Sequence, residues 1–336
     1  MKRIIAERIG GPEVLHLVEE GIPEPGPSEV RVKVLAAGVA FGDLLWMSGV
    51  VPGSPKPPYS PGYDFVGVVD KLGAKVKSLS VGQRVAALVR TGGYAEFSCW
   101  PQDELTPVGN DLDPTQLICL TLNYVAAYAL ITRVGNLSAG QRVLVHGAGG
   151  GMGTAMLDMG RKIGIKVFGT ASQGKHGLVK SLGGIPIDYK SEDFVEVVKR
   201  EGGVDMVVDH IGGSHLARSF KCLRPGGTLV STSSYAAALE RSGTLETLGG
   251  LIRLQFWNLW PNRRSALLFD ITPFYKRNPG MYTQDLLVLI DYLATGLLNP
   301  VLDVTFPLEE GKQALKYLRD GKAKGKVVLL TDAYNS

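Results

Sequence analysis

Cysteine is scarce in this 336-residue chain: Cys99, Cys119 and Cys222 are the only three, and they stand far apart. An odd, widely spaced set excludes a disulfide framework and points to a reducing, cytoplasmic compartment. The three thiols read as small buried hydrophobes. Blocks of like charge are also missing. Lys and Arg number 36 against 32 Asp and Glu, for a net charge of +4, and they are too scattered for a basic arm. No nucleic-acid partner is expected. Long apolar runs are absent as well. The longest stretch, Leu117 to Ile131, contains Thr121 and Asn123 and makes about four helical turns. A bilayer requires roughly 20 apolar residues, so this stretch reads as a buried helix and no membrane span is expected. Met1-Lys2-Arg3-Ile4 has no apolar run behind it and reads as a first strand rather than a signal peptide.

What is present is an ordinary globular composition, 45% apolar and 20% charged. At roughly 150 residues per domain the length predicts two domains. The first hundred residues carry short strand patterns between Gly- and Pro-rich turns: Val30 to Val34 with period two, Phe65 to Val69, and Gln83 to Leu88. Such a series suggests a barrel-like β domain. After Asp113-Pro114 the pattern changes. Apolar strands at Arg142–His146, Lys166–Thr170, Asp205–Asp209 and Gly227–Ser231 alternate with helix-length segments. That alternation predicts βαβ units around a parallel sheet covered on both faces. A last strand, Gly325 to Leu330, is placed to rejoin the first domain.

The most informative motif is Val143-Leu144-Val145-His146-Gly147-Ala148-Gly149-Gly150-Gly151-Met152-Gly153. A predicted strand ends in a glycine cluster that opens a helix. Gly147, Gly150 and Gly153 allow a tight turn through which backbone N–H groups reach a pyrophosphate, and Gly151 and Met152 begin the helix whose dipole favours that anion. A carboxylate about 20 residues on would bond a ribose 2′-hydroxyl. None occurs between Asp158 and Asp188. The second strand ends instead in Thr170-Ala171-Ser172-Gln173-Gly174-Lys175. Hydroxyls and an ammonium suit a 2′-phosphate, which predicts NADPH as cofactor. The competing reading of Lys175 is a solvated lysine at a helix start.

These residues resemble the medium-chain dehydrogenase/reductase superfamily, in its zinc-free quinone oxidoreductase branch. Further matches are Ala36–Asp43, Pro61–Gly67, Gly82–Val85, Gly92–Phe97 and Gly325–Val328. The resemblance implies an α/β protein: a GroES-like β-barrel domain over 1–125 and 300–336, and a Rossmann doubly wound parallel sheet over 126–299. It also implies a homodimer. By the family pattern Lys175, Tyr189 and Lys322 would hold the 2′-phosphate. The aromatic-rich stretch from Leu248 to Tyr282, with Phe256, Trp257, Trp260, Phe269, Phe274 and Tyr275, is longer than in plain quinone reductases and resembles the vesicle amine transport-type branch. It fits a substrate pocket, a dimer contact or plain core packing.

Zinc enzymes of this superfamily hold a catalytic metal with Cys, His and Cys. Ala40, Tyr63 and Leu122 stand near those positions, and no CxxC pair exists, so no metal is expected. The first loop lacks the usual Asn and the tyrosines that follow it. Tyr63 then becomes the candidate proton donor, expected near the nicotinamide, with packing against Trp46 or Tyr59 as the alternative. Asp43 and Asn123 are further catalytic candidates, or else loop-holding residues. The expected activity is hydride transfer from NADPH to a quinone or activated alkene, a small apolar or conjugated molecule. A non-catalytic NADPH-binding protein on the same fold is the alternative.

Overall fold

The structure, a computed structural model, describes residues 1–51, 53–232, 243–259, 263–278 and 280–334. From the N-terminus the chain forms β1 (Lys2–Ala6), β2 (Leu15–Glu19), β3 (Glu29–Val39), α1 (Phe41–Met47), β4 (Asp64–Leu72), β5 (Arg84–Leu88), β6 (Phe97–Pro101) and β7 (Thr106–Pro107). A helix, α2 (Pro114–Val134), follows. Then come β8 (Arg142–His146), α3 (Gly151–Ile163), β9 (Lys166–Ala171), β10 (Ile185–Asp188), α4 (Phe194–Arg200), β11 (Val204–Asp209), α5 (His215–Lys221), β12 (Leu223–Ser231), α6 (Gly243–Leu259) and β13 (Ser265–Leu268). The chain ends in α7 (Met281–Ala294), β14 (Leu302–Pro307), α8 (Gly311–Arg319) and β15 (Lys326–Leu330).

Two compact units result: residues 1–125, 283–295 and 300–336 form one, and 126–282 with 296–299 the other. In the first unit a seven-stranded sheet runs β14-β15-β3-β4-β5-β7, with β6 also on β3. The alternation in β3 does what it predicts: Val30, Val32 and Val34 are fully buried while Arg31 and Lys33 are not. The last strand rejoins this unit, with Val327 opposite Val39 in an antiparallel ladder. Gly325, at φ +125°, makes the entry possible, since a Cβ there would lie 2.4 Å from the Val301 carbonyl oxygen.

The second unit carries a six-stranded parallel sheet of order β10-β9-β8-β11-β12-β13. Leu144, Phe168, Val207 and Leu229 from four of its strands share one core. The strand order reverses between β8 and β11, the point where doubly wound sheets open a ligand crevice beyond the strand ends.

Two expectations are corrected. The helix read as Leu117 to Ile131 spans 21 residues, and by length and composition it is long and apolar enough to cross a membrane; 67% of its apolar window is buried inside the protein, as in a core helix. The helix runs three residues beyond the apolar stretch at each end, and Thr121 within it donates to Asp64. Residues 283–295, expected in the Rossmann domain, cluster with the first unit. The apolar face of α7, with Leu286 and Leu289 fully buried, is visible in the sequence, but periodicity does not say which body it covers.

Candidate active site

At the end of β8 the chain turns through Gly147, whose φ of +68° suits only glycine without strain. Thr170, the penultimate residue of β9, ties this turn down from beneath. Its carbonyl accepts the Ala148 N–H at 2.9 Å and its hydroxyl oxygen accepts the Gly147 N–H at 3.3 Å. The Gly150 N–H closes back on the Gly147 carbonyl at 3.0 Å. Gly150 then caps α3, so the N–H groups of Gly151, Met152 and Gly153 in its first turn have no intrahelical acceptor. Their donors and the helix dipole make an anion site. Gly153 must be glycine for packing reasons, because a Cβ there would sit 2.4 Å from the Ala148 Cα.

The sequence-predicted residues of the second strand gather at the same turn. A Cβ on Gly149 would lie 2.6 Å from Lys175 Cδ, so the lysine stem crosses the glycine turn. Ser172 precedes the short turn that carries Lys175, and its carbonyl accepts the Lys175 N–H at 2.9 Å. Tyr189, just past β10, is 56% exposed. Lys322 is exposed in the first unit, between α8 and β15. Thr170 is buried and committed to the turn, so its part is to shape the cradle.

Sequence reasoning missed the polar cluster under this cradle. His146, 1% exposed, places Nδ1 3.0 Å from Thr170 Oγ1 and Nε2 3.0 Å from Ser219 Oγ. Ser219 donates to Asp209 Oδ2 at 2.6 Å, and His215 Nδ1 lies 3.0 Å from the same oxygen. Asp209 Oδ1 accepts the Ile211 and Gly212 N–H groups. Burial depresses His146 to about 3, so its imidazole is neutral. Burial works to raise the Asp209 carboxyl, yet the hydrogen bonds from His215 and Ser219 outweigh it and hold it below the usual carboxylate range. The available signal was a His and an Asp at the ends of two strands, each directly after a pair of apolar residues.

In the first unit, Tyr63 is 7% exposed and its ring lies over Gly42, where a Cβ would meet Cε2 at 2.7 Å. Its carbonyl accepts the Val89 and Arg90 N–H groups. Asp43, fully buried, accepts from the Ala40 N–H (2.9 Å), the Gly62 N–H (3.0 Å) and the Tyr94 hydroxyl (2.8 Å). Burial raises its carboxyl to about 6 against the pull of those donors. Asp43 thus joins the two loops that carry Ala40 and Tyr63. Asn123 accepts from Lys326 Nζ at 3.5 Å, beside a buried ion pair between Lys326 and Asp64 at 3.0 Å. Asn123 is therefore drawn into a structural cluster.

The aromatic stretch divides. Trp257 stacks on Phe220 at 4.3 Å, Phe269 packs on Phe274, and Tyr275 is buried between Phe274 and Tyr282. Phe256 is exposed. Trp260 lies outside the described residues.

A glycine turn at the end of β8, a helix N-terminus behind it and a parallel sheet whose strand order reverses at that point define a dinucleotide-binding protein of the Rossmann type. Residues 26–110 match the family described as alcohol dehydrogenase GroES-like domain, and 184–329 the one described as zinc-binding dehydrogenase. The chain is 30% identical to the human synaptic vesicle membrane protein VAT-1 homolog-like, over 98% of this chain and 80% of that one. It is 31% identical to a Burkholderia 2-haloacrylate reductase, over 98% of each. The Escherichia coli quinone oxidoreductase, solved as an NADPH complex, superposes with a TM-score of 0.86 at 25% identity, covering 98% of this chain and 100% of that one. The chain belongs to the medium-chain dehydrogenase/reductase superfamily, in the quinone oxidoreductase branch near the VAT-1 homologues.

Proposed function

We propose that this protein is a zinc-independent oxidoreductase that binds NADPH and reduces a quinone or an activated alkene such as an enone or enal. The observation that carries this reading is the cradle itself. Three N–H donors without intrahelical acceptors and a helix dipole are suited to an anion, and Lys175 crosses the glycine turn at a strand end without a carboxylate. The solved Escherichia coli relative is an NADPH complex, and the Burkholderia relative is named for reducing a conjugated alkene. When bound, NADPH supplies a hydride.

The chain's own residues do the rest. Gly151, Met152 and Gly153 hold the pyrophosphate through their N–H groups. Lys175 would neutralise the 2′-phosphate, with Ser172 and Tyr189 of the same unit as its further partners. Tyr63 donates a hydrogen bond to the substrate oxygen as charge builds there. Asp43 and Asn123 act as positioning residues, because their oxygens are already engaged inside the protein.

Lys175→Glu is expected to weaken NADPH binding by more than about tenfold, or roughly 1.4 kcal/mol, with NADH affinity unchanged or improved. Equal affinity of the wild type for the two cofactors in a fluorescence titration would remove the basis for the NADPH assignment.

Zinc independence rests on residue chemistry, since Ala40, Tyr63 and Leu122 carry no metal-binding atom suited to zinc. Among the described residues one group of three, His146, Asp209 and His215, has metal-ligand character, and Ser219 Oγ hydrogen-bonds within it. The deciding experiment is NADPH oxidation against quinones, 2-alkenals, cyclic enones and enoyl thioesters, with and without a strong chelator. Turnover that ignores the chelator, with elemental analysis well below one zinc per chain, is expected. Tight NADPH binding without turnover on any of these would favour the non-catalytic alternative.

We also assign a homodimer to the β13 edge of the second unit. β13 ends the sheet order, and Leu268 on it and Ile252, Phe256 and Leu259 on α6 are exposed apolar side chains of one unit. Phe256→Asp is expected to convert the dimer to a monomer by sedimentation equilibrium. A wild-type monomer at micromolar concentration would refute the assignment.

A further inference from the structure

The polar cluster beneath the glycine turn has a single consistent direction. Asp209 is ionised and buried, and Ser219 Oγ lies 2.6 Å from its Oδ2, so the serine hydroxyl must donate to it. Ser219 Oγ then accepts from His146, which fixes the imidazole proton on Nε2. His146 Nδ1 is left as an acceptor for the Thr170 hydroxyl, whose oxygen accepts the Gly147 N–H. The chain therefore runs from Gly147 N–H through Thr170, His146 and Ser219 to Asp209. His146, Ser219 and Asp209 are all 1% exposed or less. His215, at 3.0 Å, and the Ile211 and Gly212 N–H groups complete the carboxylate's acceptor capacity.

This chain crosses the sheet at its reversal. His146 ends β8 with Gly147 just past it, Thr170 is the penultimate residue of β9, Asp209 ends β11, and Ser219 reaches in from α5. The turn after β8 and the turn after β11 are thus held to each other by side chains, where sheet hydrogen bonds have ended. In a low-dielectric interior each link polarises the next, and a missing link leaves a buried donor or acceptor unpaired.

We propose that Ser219 and His146 are positioning residues for the dinucleotide: they form a strut across the strand-order reversal that holds the Gly147 turn, and with it the N–H groups of α3, in the conformation that receives the pyrophosphate. The proposal rests on the NADPH reading above. Without Ser219, the His146 Nε2 proton has no acceptor. The imidazole turns or changes tautomer, Thr170 loses its acceptor, and the Gly147 turn loosens while the rest of the sheet stays packed.

The test is NADPH titration of Ser219→Ala by nicotinamide fluorescence, together with the imidazole 15N spectrum of the wild type. Ser219→Ala should weaken NADPH binding by about tenfold or more, with kcat at saturating NADPH close to wild type. Ser219→Cys, of similar size but a weak donor, should fall between the two. Phe220→Leu, on the same helix and stacked on Trp257, should lower the melting temperature without moving NADPH affinity. The wild-type spectrum should show His146 protonated at Nε2 alone from about pH 5 to pH 8, a result independent of whether the alanine variant folds. NADPH affinity within about twofold of wild type in Ser219→Ala, or a proton on His146 Nδ1, overturns the strut. A wild type that binds no NADPH removes the cofactor reading and the strut with it, and is distinguished from those results by the wild-type titration alone.

Discussion

Lys326→Met is expected to destabilise the protein by about 3–5 kcal/mol. Lys326 is 2% exposed and Asp64 is fully buried. Their side chains meet at 3.0 and 3.2 Å. Thr121 donates to the same carboxylate, and Asn123 accepts from the ammonium at 3.5 Å. The pair is packed tightly against Gly38, where even a Cβ would lie 2.2 Å from Asp64 Oδ1. Methionine keeps most of the volume but leaves the Asp64 carboxylate buried with one hydroxyl for company. The cost is that of an uncompensated charge in a low-dielectric site. The double variant Asp64→Leu/Lys326→Met removes both charges and should recover most of the loss. Urea unfolding of the three variants decides the matter. A single variant within about 1 kcal/mol of wild type would show the pair to be solvated or dispensable.

Tyr63→Phe should lower turnover by roughly 10² or more while leaving NADPH affinity unchanged, the lower end of what a positioned acid contributes. The ring is clamped over Gly42, and the Tyr63 carbonyl is held by the Val89 and Arg90 N–H groups. Phenylalanine preserves that packing and removes only the hydroxyl. A phenol hydroxyl is a hydrogen-bond donor. It can donate to an oxygen that becomes negative during hydride addition, where a donor helps most. The separation between unchanged cofactor affinity and lost kcat is the diagnostic. Nearly full turnover by Tyr63→Phe would mean that the side chain only shapes the pocket and solvent supplies the proton. Asp43→Asn is a poor substitute for this test, because Asp43 bonds the backbone of both loops and would move them together.

Much of the architecture was legible because its signals are local. Strand β8 was read at its observed limits, Arg142 to His146, from an apolar run ending at glycine. The α3 start followed from the glycines themselves. The final strand was legible as a lone strand able to rejoin the first domain, and it pairs there with β3. The extent of α2 was not legible, since its ends, Pro114 to Gln116 and Thr132 to Val134, lie outside the apolar run.

The sequence by itself determined the cradle: the turn, its left-handed Gly147, the open helix N-terminus and the lysine beside an acid-free strand end all depend on residues close in the chain. Only the tertiary structure decided what lies beneath and beside it. His146 and Ser219 are 73 residues apart, and Asp64 and Lys326 are 262 apart. A buried polar side chain takes its meaning from the partner that satisfies it, and at such separations nothing short of strand order and register says which partner that is.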